Sequence, residues 1–365
     1  MFSYVFMRTK KAPARPQIIS SPLLSLSFSL TLFWSLGCSV HSMTGSVISE
    51  YTVDHLIPHV LSTDDLDMAC EMGSSMGPFL LSFERVTDPL DQAAVPTFMT
   101  SAMCAEKRVW QAEVRALLAE RARQVPEMRD ALIVQRREHA VTASRYFAAY
   151  SHMKKLLGEG CERLDGPQTE LTMLLGLMGG ILAVQHDRAS GVQIGVPTNI
   201  PVQVARQAEC LDNEKWWGVP QSMRGAVWAV VPGSAPKELG DQKEKILSII
   251  EEQLRIADQS GVRVAYSIYG LTAIALGDRP RVEQLLRRAG LSFTEQKANP
   301  SWRVLDQAAF EQLQAISDRY LIKDRGYRTQ HELHLFSDWK RSEEKPDAET
   351  SADTEDDLLD GLDDE

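Results

Sequence analysis

The fold is decided by residues 243–289, which read KEKILSIIEEQLRIADQSGVRVAYSIYGLTAIALGDRPRVEQLLRRA. Apolar side chains recur there every three or four residues, the period of a helix with one buried face. The pattern predicts one helix over 243–258, a second over 262–276 and a third that begins at 282. Because Ser260-Gly261 and the Gly-Asp-Arg-Pro run after the second helix are turn signals, the stretch predicts antiparallel helices joined by tight turns.

The same period extends outward through most of the chain. The helix over 168–188 is apolar on nearly every side, so we expect it to be central and buried. The sequence therefore predicts an all-α protein of stacked antiparallel helical hairpins. These hairpins, with their short turns, resemble those of a tetratricopeptide array. The array would be degenerate, because no consensus of about 34 residues recurs along the chain. The remaining predicted helices cover residues 66–84, 93–123, 126–157, 200–211, 220–231 and 306–320.

Charge is concentrated at the two ends of the chain. The 365 residues carry 39 basic and 50 acidic side chains, a net charge of −11. Residues 341–365 contribute −10 and residues 1–37 contribute +4, which leaves −5 for the body between them. A body of this charge excludes nucleic acid as the main partner, because a phosphate-binding surface needs clustered Lys and Arg. The composition of the acidic tail predicts disorder.

The N-terminus has the order of a secretory signal. Residues 1–17 are basic, residues 18–36 are apolar and serine-rich, and Gly37-Cys38 follows. A cysteine after a small residue resembles the lipobox of bacterial lipoproteins, which implies that Cys38 carries acyl chains such as palmitate and becomes the new N-terminus. The alternative is an uncleaved N-terminal membrane helix with an incidental cysteine. Because Ser39 stands where inner-membrane retention signals have Asp, we expect a lipid anchor on the periplasmic face of the outer membrane.

These patterns divide the chain into three segments. We expect a lipoprotein signal peptide over residues 1–37 and a helical body over 38–325. A polar segment and the disordered acidic tail then occupy residues 326–365.

Four cysteines remain in the body, at Cys70, Cys104, Cys161 and Cys210. An even number in an oxidising compartment predicts two disulfides, and the sequence leaves all three pairings open. The spacings of 34, 57 and 49 residues contain no close pair of the kind that binds zinc. The alternative is four buried free thiols, which pack as small apolar side chains.

Motifs that carry catalytic chemistry are missing from the sequence. It has neither a Gly-x-Ser-x-Gly elbow nor a His-Glu-x-x-His pair. The glycines of residues 176–180 lie inside an apolar helix rather than after a strand, so they indicate close helix approach and not a phosphate loop. We therefore expect no catalytic residue, metal or cofactor. A lytic enzyme of the cell wall is the alternative.

Two features are candidates for contact with a ligand or partner. Trp216 and Trp217 are adjacent, and neighbours on a helix point about 100° apart, so both should not face one helical core. With Trp228 nearby, we expect one of them to form a pocket wall or a subunit contact. The alternative is one core Trp and one capping Trp. The second feature is the loop over residues 191–199, which ends at Asn199 and is long for a helical scaffold.

Several blocks of the body, read in order after Cys38, carry a family resemblance. They are residues 62–66 (STDDL), 78–84 (PFLLSFE), 175–183 (LGLMGGILA), 200–212, Trp217 and 222–229 (SMRGAVWA). In this layout, over about residues 38–290, the chain resembles the T component (TatT) of TRAP transporter systems, a family of lipoproteins with degenerate tetratricopeptide-like helices. The acidic tail and the four body cysteines are not part of that family's pattern.

The resemblance implies a periplasmic, lipid-anchored helical protein that forms a trimer with pores. Its implied partner is the solute-binding protein of a tripartite, ATP-independent transporter, and its implied ligand is a small organic or hydrophobic molecule. The alternative function is an envelope scaffold lipoprotein that binds another periplasmic or outer-membrane protein and has no role in transport.

Overall fold

The computed structural model describes residues 42–84, 90–240 and 242–328. Within those residues the protein has eleven helices and no strand, which confirms the all-α prediction. The signal peptide, Cys38, most of the polar segment and the acidic tail lie outside the described residues. The helices are α1 (residues 42–61, with a π-helical turn at Thr52–Leu56), α2 (Leu66–Ser82), α3 (Asp91–Arg121), α4 (Val125–Leu157), α5 (Pro167–Ser190), α6 (Ile200–Gln207), α7 (Val219–Val230), α8 (Lys243–Ser260), α9 (Val264–Ala275), α10 (Arg279–Glu295) and α11 (Arg303–Arg325).

Helix ends follow the capping signals of the sequence. Asp65 accepts a hydrogen bond from the backbone N–H of Met68 at 2.8 Å, which satisfies a free donor in the first turn of α2. Asp278 caps α10 in the same way. At the other end, α8 stops at Gly261, whose φ of +68° lies in the left-handed region that favours glycine.

Helices α2 to α5 pack side by side in sequence order and form the N-terminal half of the body. Glycine permits the close contact between α4 and α5. A Cβ atom on Gly176 would lie 2.4 Å from Cβ of Met153, so a larger residue there would force the two helices apart. The glycines of residues 176–180 therefore serve helix approach.

Helix α5 is long and apolar enough to cross a membrane by length and composition, and it is the one such helix among the described residues. It spans Pro167–Ser190. Its most apolar stretch of 18 residues has a mean hydropathy of 1.2, and 56% of that stretch is buried inside the protein. Met173 and Leu177 of this helix are fully buried in the largest apolar cluster of the body. Helix α5 packs against α3, α4 and α6, so it occupies the central position that the sequence predicts.

The C-terminal helix returns to the N-terminal half. Helix α11 packs on α9 and α10, and it also contacts α1, α2 and α3. Polar contacts fasten it to α3, among them the pair of Arg319 with Glu113 at 2.8 Å and the hydrogen bond from Gln312 to Glu106 at 3.2 Å. In a tetratricopeptide solenoid each repeat contacts only its neighbours. The body instead closes into a ring, and the tetratricopeptide-like arrangement is not confirmed.

Two disulfides join parts of the N-terminal half. Cys70 of α2 pairs with Cys104 of α3, and Cys161, between α4 and α5, pairs with Cys210, in the turn after α6. Both bonds have a Cα–Cα distance of 5.3 Å, within the usual range. The structure therefore selects one of the three pairings that the sequence left open, and it leaves none of these four cysteines as a free thiol.

A buried ion pair organises the C-terminal half. The guanidinium of Arg263, between α8 and α9, forms two hydrogen bonds to Asp306 in the first turn of α11, and the side chain is 2% exposed. Its Nη1 group donates to the backbone carbonyl oxygens of Ser292 and Gln296 at the end of α10, at 2.9 and 3.0 Å. The Phe293 ring lies 4.1 Å from the guanidinium carbon. One side chain thus links the starts of α9 and α11 to the end of α10.

Loss of one partner of this pair is expected to destabilise the fold strongly. Arg263→Met leaves the Asp306 carboxylate buried without its counter-ion, and the free energy of unfolding should fall by about 3–5 kcal/mol. Urea unfolding followed by circular dichroism measures the change. The control is Arg279→Met, which removes a half-exposed pair with Asp324 and should cost about 1 kcal/mol or less. Equal losses for the two variants would contradict this role for Arg263, and Arg263→Met combined with Asp306→Leu should lose less than Arg263→Met alone.

Candidate functional site

The ring of helices surrounds a cavity of about 440 Å³ that is partly open to solvent, which we call the central cavity. Helices α3, α5, α7, α9 and α11 each contribute to its walls. The lining is mainly apolar and includes Met99, Met178, Met223, Leu271 and Leu305. A volume of this size is typical of sites for small organic ligands.

A second cavity of about 560 Å³, the tryptophan cavity, lies beside the first. Helix α1 covers one side of it, and Trp216, Trp217 and Trp302 form another part of its wall. Leu61, Pro96 and Leu175 line both cavities, so three apolar side chains stand between them. The two cavities therefore form adjoining compartments within one ring of helices.

Both Trp216 and Trp217 are buried, at 2% and 5% exposure, so the expectation that they could not share a core is wrong. That expectation assumed a helix, whereas the pair lies in a turn where Trp217 has φ +57°. The two ring centroids lie 5.4 Å apart at an interplanar angle of 81°, and both rings line the tryptophan cavity. The Trp216 ring N–H donates to Glu170 at 2.7 Å.

Trp228 and Asn199 lie away from these cavities. Trp228 is half-buried beneath the guanidinium of Arg224, 4.8 Å from the ring centroid, and lines neither cavity. Asn199 is exposed at the end of its loop. Buried Asp187 ties that loop down, because its carboxylate accepts from the backbone N–H groups of Ile194 and Val196 at 2.9 and 2.8 Å. The structure thus brings two of the four candidate contact residues to a cavity.

A buried polar cluster at the central cavity was missed by the sequence analysis. Glu106 of α3 lines the cavity and is 6% exposed. Its carboxylate accepts from the Tyr146 hydroxyl at 2.7 Å and from the Gln312 amide at 3.2 Å. Nε2 of His186 lies 3.3 Å from Oε1 of Glu106, and Nδ1 of His186 lies 2.9 Å from Nδ1 of His139. The four helices α3, α4, α5 and α11 meet at this cluster.

The surroundings of Glu106 keep its carboxyl group ionised. Burial acts to raise its pKa, but the adjacent His186, together with hydrogen bonds from Tyr146 and Gln312, holds the Glu106 pKa below its ordinary value. Burial and the charge of Glu106 raise the pKa of the Tyr146 hydroxyl well above 10.0, which keeps it a donor. Since the two facing Nδ1 atoms can share one proton only, one imidazole donates and the other accepts.

No local signal in the sequence marks this cluster. Its residues come from four helices, and Glu106 and Gln312 are 206 residues apart in the chain. Each residue alone looks like an ordinary helical polar residue, and their meeting depends on the return of α11 to α3. Among the described residues no group of three or more His, Cys, Asp or Glu side chains is placed to hold a metal ion.

Comparisons of the chain with family models, with curated proteins and with solved structures find no match in any of the three. The resemblance to the T component of TRAP transporter systems therefore gains no support from them and stays a prediction.

The stability of the protein is expected to fall as the pH drops from 6.5 towards 4. Burial, followed by the charge of His186, lowers the pKa of His139 from 6.5 to about 4. Below pH 6.5 the unfolded chain therefore binds a proton that the folded chain does not, and folding loses free energy until the pH reaches about 4. Urea unfolding at a series of pH values measures the slope.

His139→Gln should flatten that slope, whereas His59→Gln, at an exposed histidine, should leave it unchanged. Identical slopes in the protein and in His139→Gln would contradict this assignment, as would an NMR titration that places the His139 pKa at 6.5 or above.

Proposed function

We propose that this protein is a helical binding protein that encloses an apolar small molecule in its central cavity. The observation that carries the proposal is the closure of α11 onto α3, which leaves about 440 Å³ of mainly apolar space inside the ring. A core that served stability alone would be close-packed. A concave, mainly apolar space with a few polar groups is the usual form of a small-molecule site.

We further propose the cellular setting that the sequence predicts. The charged, apolar and Gly37-Cys38 segments support export and a lipid anchor in the outer membrane, facing the periplasm. The two disulfides support an oxidising compartment. In that setting the partner implied by the family resemblance is the solute-binding protein of a TRAP-type transporter, with a trimer as the implied assembly. The cavity would then hold the small organic or hydrophobic ligand that passes between them.

Filling the central cavity is expected to abolish ligand binding without unfolding the protein. Ala308 of α11 lines the cavity, so Ala308→Trp places an indole in the space. The neutral fluorescent probe N-phenyl-1-naphthylamine should bind the full chain and lose at least about tenfold in affinity for this variant, equivalent to roughly 1.4 kcal/mol. Fluorescence titration, with the signal of buffer and detergent subtracted, measures the loss.

Gln307→Trp is the matched control, because Gln307 precedes Ala308 on the same helix and does not line the cavity. It should bind the probe with nearly unchanged affinity. Full probe binding by Ala308→Trp, or equal losses in both variants, would overturn the assignment of the cavity as the site.

Removal of the proposed acylation site is expected to release the protein from membranes. Cys38→Ala leaves no thiol for the acyl chains, which contribute about 0.8 kcal/mol per buried methylene to anchoring. Fractionation of cells, together with N-terminal sequencing, measures the change, and Ser39→Ala is the control that keeps the anchor. Unchanged membrane retention with Met1 still at the N-terminus would instead support the uncleaved membrane helix.

A second candidate function is the envelope scaffold without a transport role. It is favoured by four exposed apolar side chains near the tip of the α3–α4 hairpin: Leu118, Val125, Leu132 and Ile133, at 40–49% exposure. Capture of partners from detergent-solubilised membranes separates the two functions. Recovery of a TRAP solute-binding protein supports the first, and recovery of only outer-membrane assembly or cell-wall proteins supports the second.

A further inference from the structure

We propose that Glu106 is the recognition point of the central cavity, and that the ligand is an apolar molecule carrying a protonated amine that pairs with this carboxylate. The inference rests on the proposed function, since it assigns the chemical class of the molecule that the cavity would hold. It also departs from the organic acids that the family resemblance implies.

Glu106 places a buried negative charge in a mainly apolar wall. Its side chain is 8% accessible, and it borders the cavity together with Met99, Met103 and Met178. In such surroundings water screens the charge poorly, so a carboxylate strongly favours an opposite charge nearby. The ionised state of Glu106 follows from the hydrogen bonds described above. The cavity therefore carries one buried negative charge at a fixed point.

Lysine and arginine side chains of the described chain do not neutralise this charge. Tyr146 and Gln312 donate hydrogen bonds without a formal charge, and no Lys or Arg in the described part of the chain forms an ion pair with Glu106. Arg319, which faces the same region from α11, pairs with Glu113 at 2.8 Å. Lys107, the next residue of α3, lines the cavity too, but its ammonium group pairs with Asp67 and with Glu311, the latter at 3.0 Å.

His186 supplies a counter-charge only when the histidine pair gains a proton. Nε2 of His186 lies 3.3 Å from Oε1 of Glu106, within ion-pair distance, but the contact lacks the geometry of a hydrogen bond. Because His186 also faces Nδ1 of His139, the pair can carry one imidazolium, and a further proton would set two imidazolium ions against each other. An ammonium group from the cavity side would supply a permanent positive charge and additional donors to Glu106.

The rest of the cavity fits the apolar body of such a ligand and disfavours an acid. Leu182, Leu271 and Leu305 offer apolar contact but no donors. A carboxylate at the depth of Glu106 would place like charges together in apolar surroundings, which is unfavourable. Arg188 also lines the cavity, but it is exposed and borders solvent, so it could hold an anion only at the mouth.

Competition among three ligands of equal chain length tests the inference. Decylamine, decanol and decanoate are titrated at pH 7 against N-phenyl-1-naphthylamine bound to the full chain. Decylamine should displace the probe at a concentration at least about tenfold lower than decanol, with decanoate the weakest. Glu106→Gln keeps the shape of the side chain and removes its charge, so it should abolish the advantage of the amine while the neutral probe still binds.

Two control variants complete the design. Glu120→Gln removes an exposed carboxylate from the same helix, outside the cavity, and should preserve the amine preference. Arg188→Gln should also preserve it. If Glu106→Gln does not fold, the order in which the three ligands displace the probe from the unmodified protein decides whether the inference holds.

The outcomes separate this inference from the proposed function. Absence of probe binding overturns the proposed function and this inference together. Probe binding with equal displacement by amine and alcohol overturns this inference alone. Strongest displacement by decanoate, lost in Arg188→Gln, also overturns it and assigns the cavity to an acid held at the mouth.

Discussion

The buried pair of Arg263 and Asp306 is the constraint on which the shape of the body depends. Burying a guanidinium and a carboxylate is costly unless every donor is satisfied. Here the guanidinium bonds to Asp306 and to two carbonyl oxygens at the end of α10. Satisfying those groups together sets where α9 and α11 begin relative to α10. From that starting point α11 runs back to α3.

The contact of α11 with α3 creates the cavity and also brings Gln312 to the buried carboxylate of Glu106. Gln312, which donates to Glu106, lies two turns before Arg319 on the same helix, and Arg319 pairs with Glu113 of α3. The ring closure and the environment of the buried carboxylate are thus consequences of one helix–helix contact. A solenoid with an open end would leave Glu106 facing solvent, where a carboxylate needs no special partner.

Local elements of this fold could be predicted from the sequence, and its closure could not. The helix predicted over 243–258 is observed as Lys243–Ser260, because apolar periodicity and the Gly261 stop signal are both local. The return of α11 to α3 depends on contacts between residues 206 apart, such as Arg319 with Glu113. Trp217 shows a similar limit on a smaller scale, since its left-handed backbone follows from tertiary packing and not from residue type.

Disulfides crosslink one half of the ring, whereas noncovalent contacts hold the other half. Both disulfides lie between residues 70 and 210, so covalent bonds fasten the half that contains α3 and α5. In the described part of the chain, α7, α9 and α11 are held by apolar packing, hydrogen bonds and ion pairs, without a disulfide. A molecule wider than the mouth beside Arg188 must displace some wall, and the wall without covalent links opens at the lower cost in free energy. Movement of α7, α9 and α11 away from the crosslinked half would therefore admit a ligand to the part of the cavity beside Glu106.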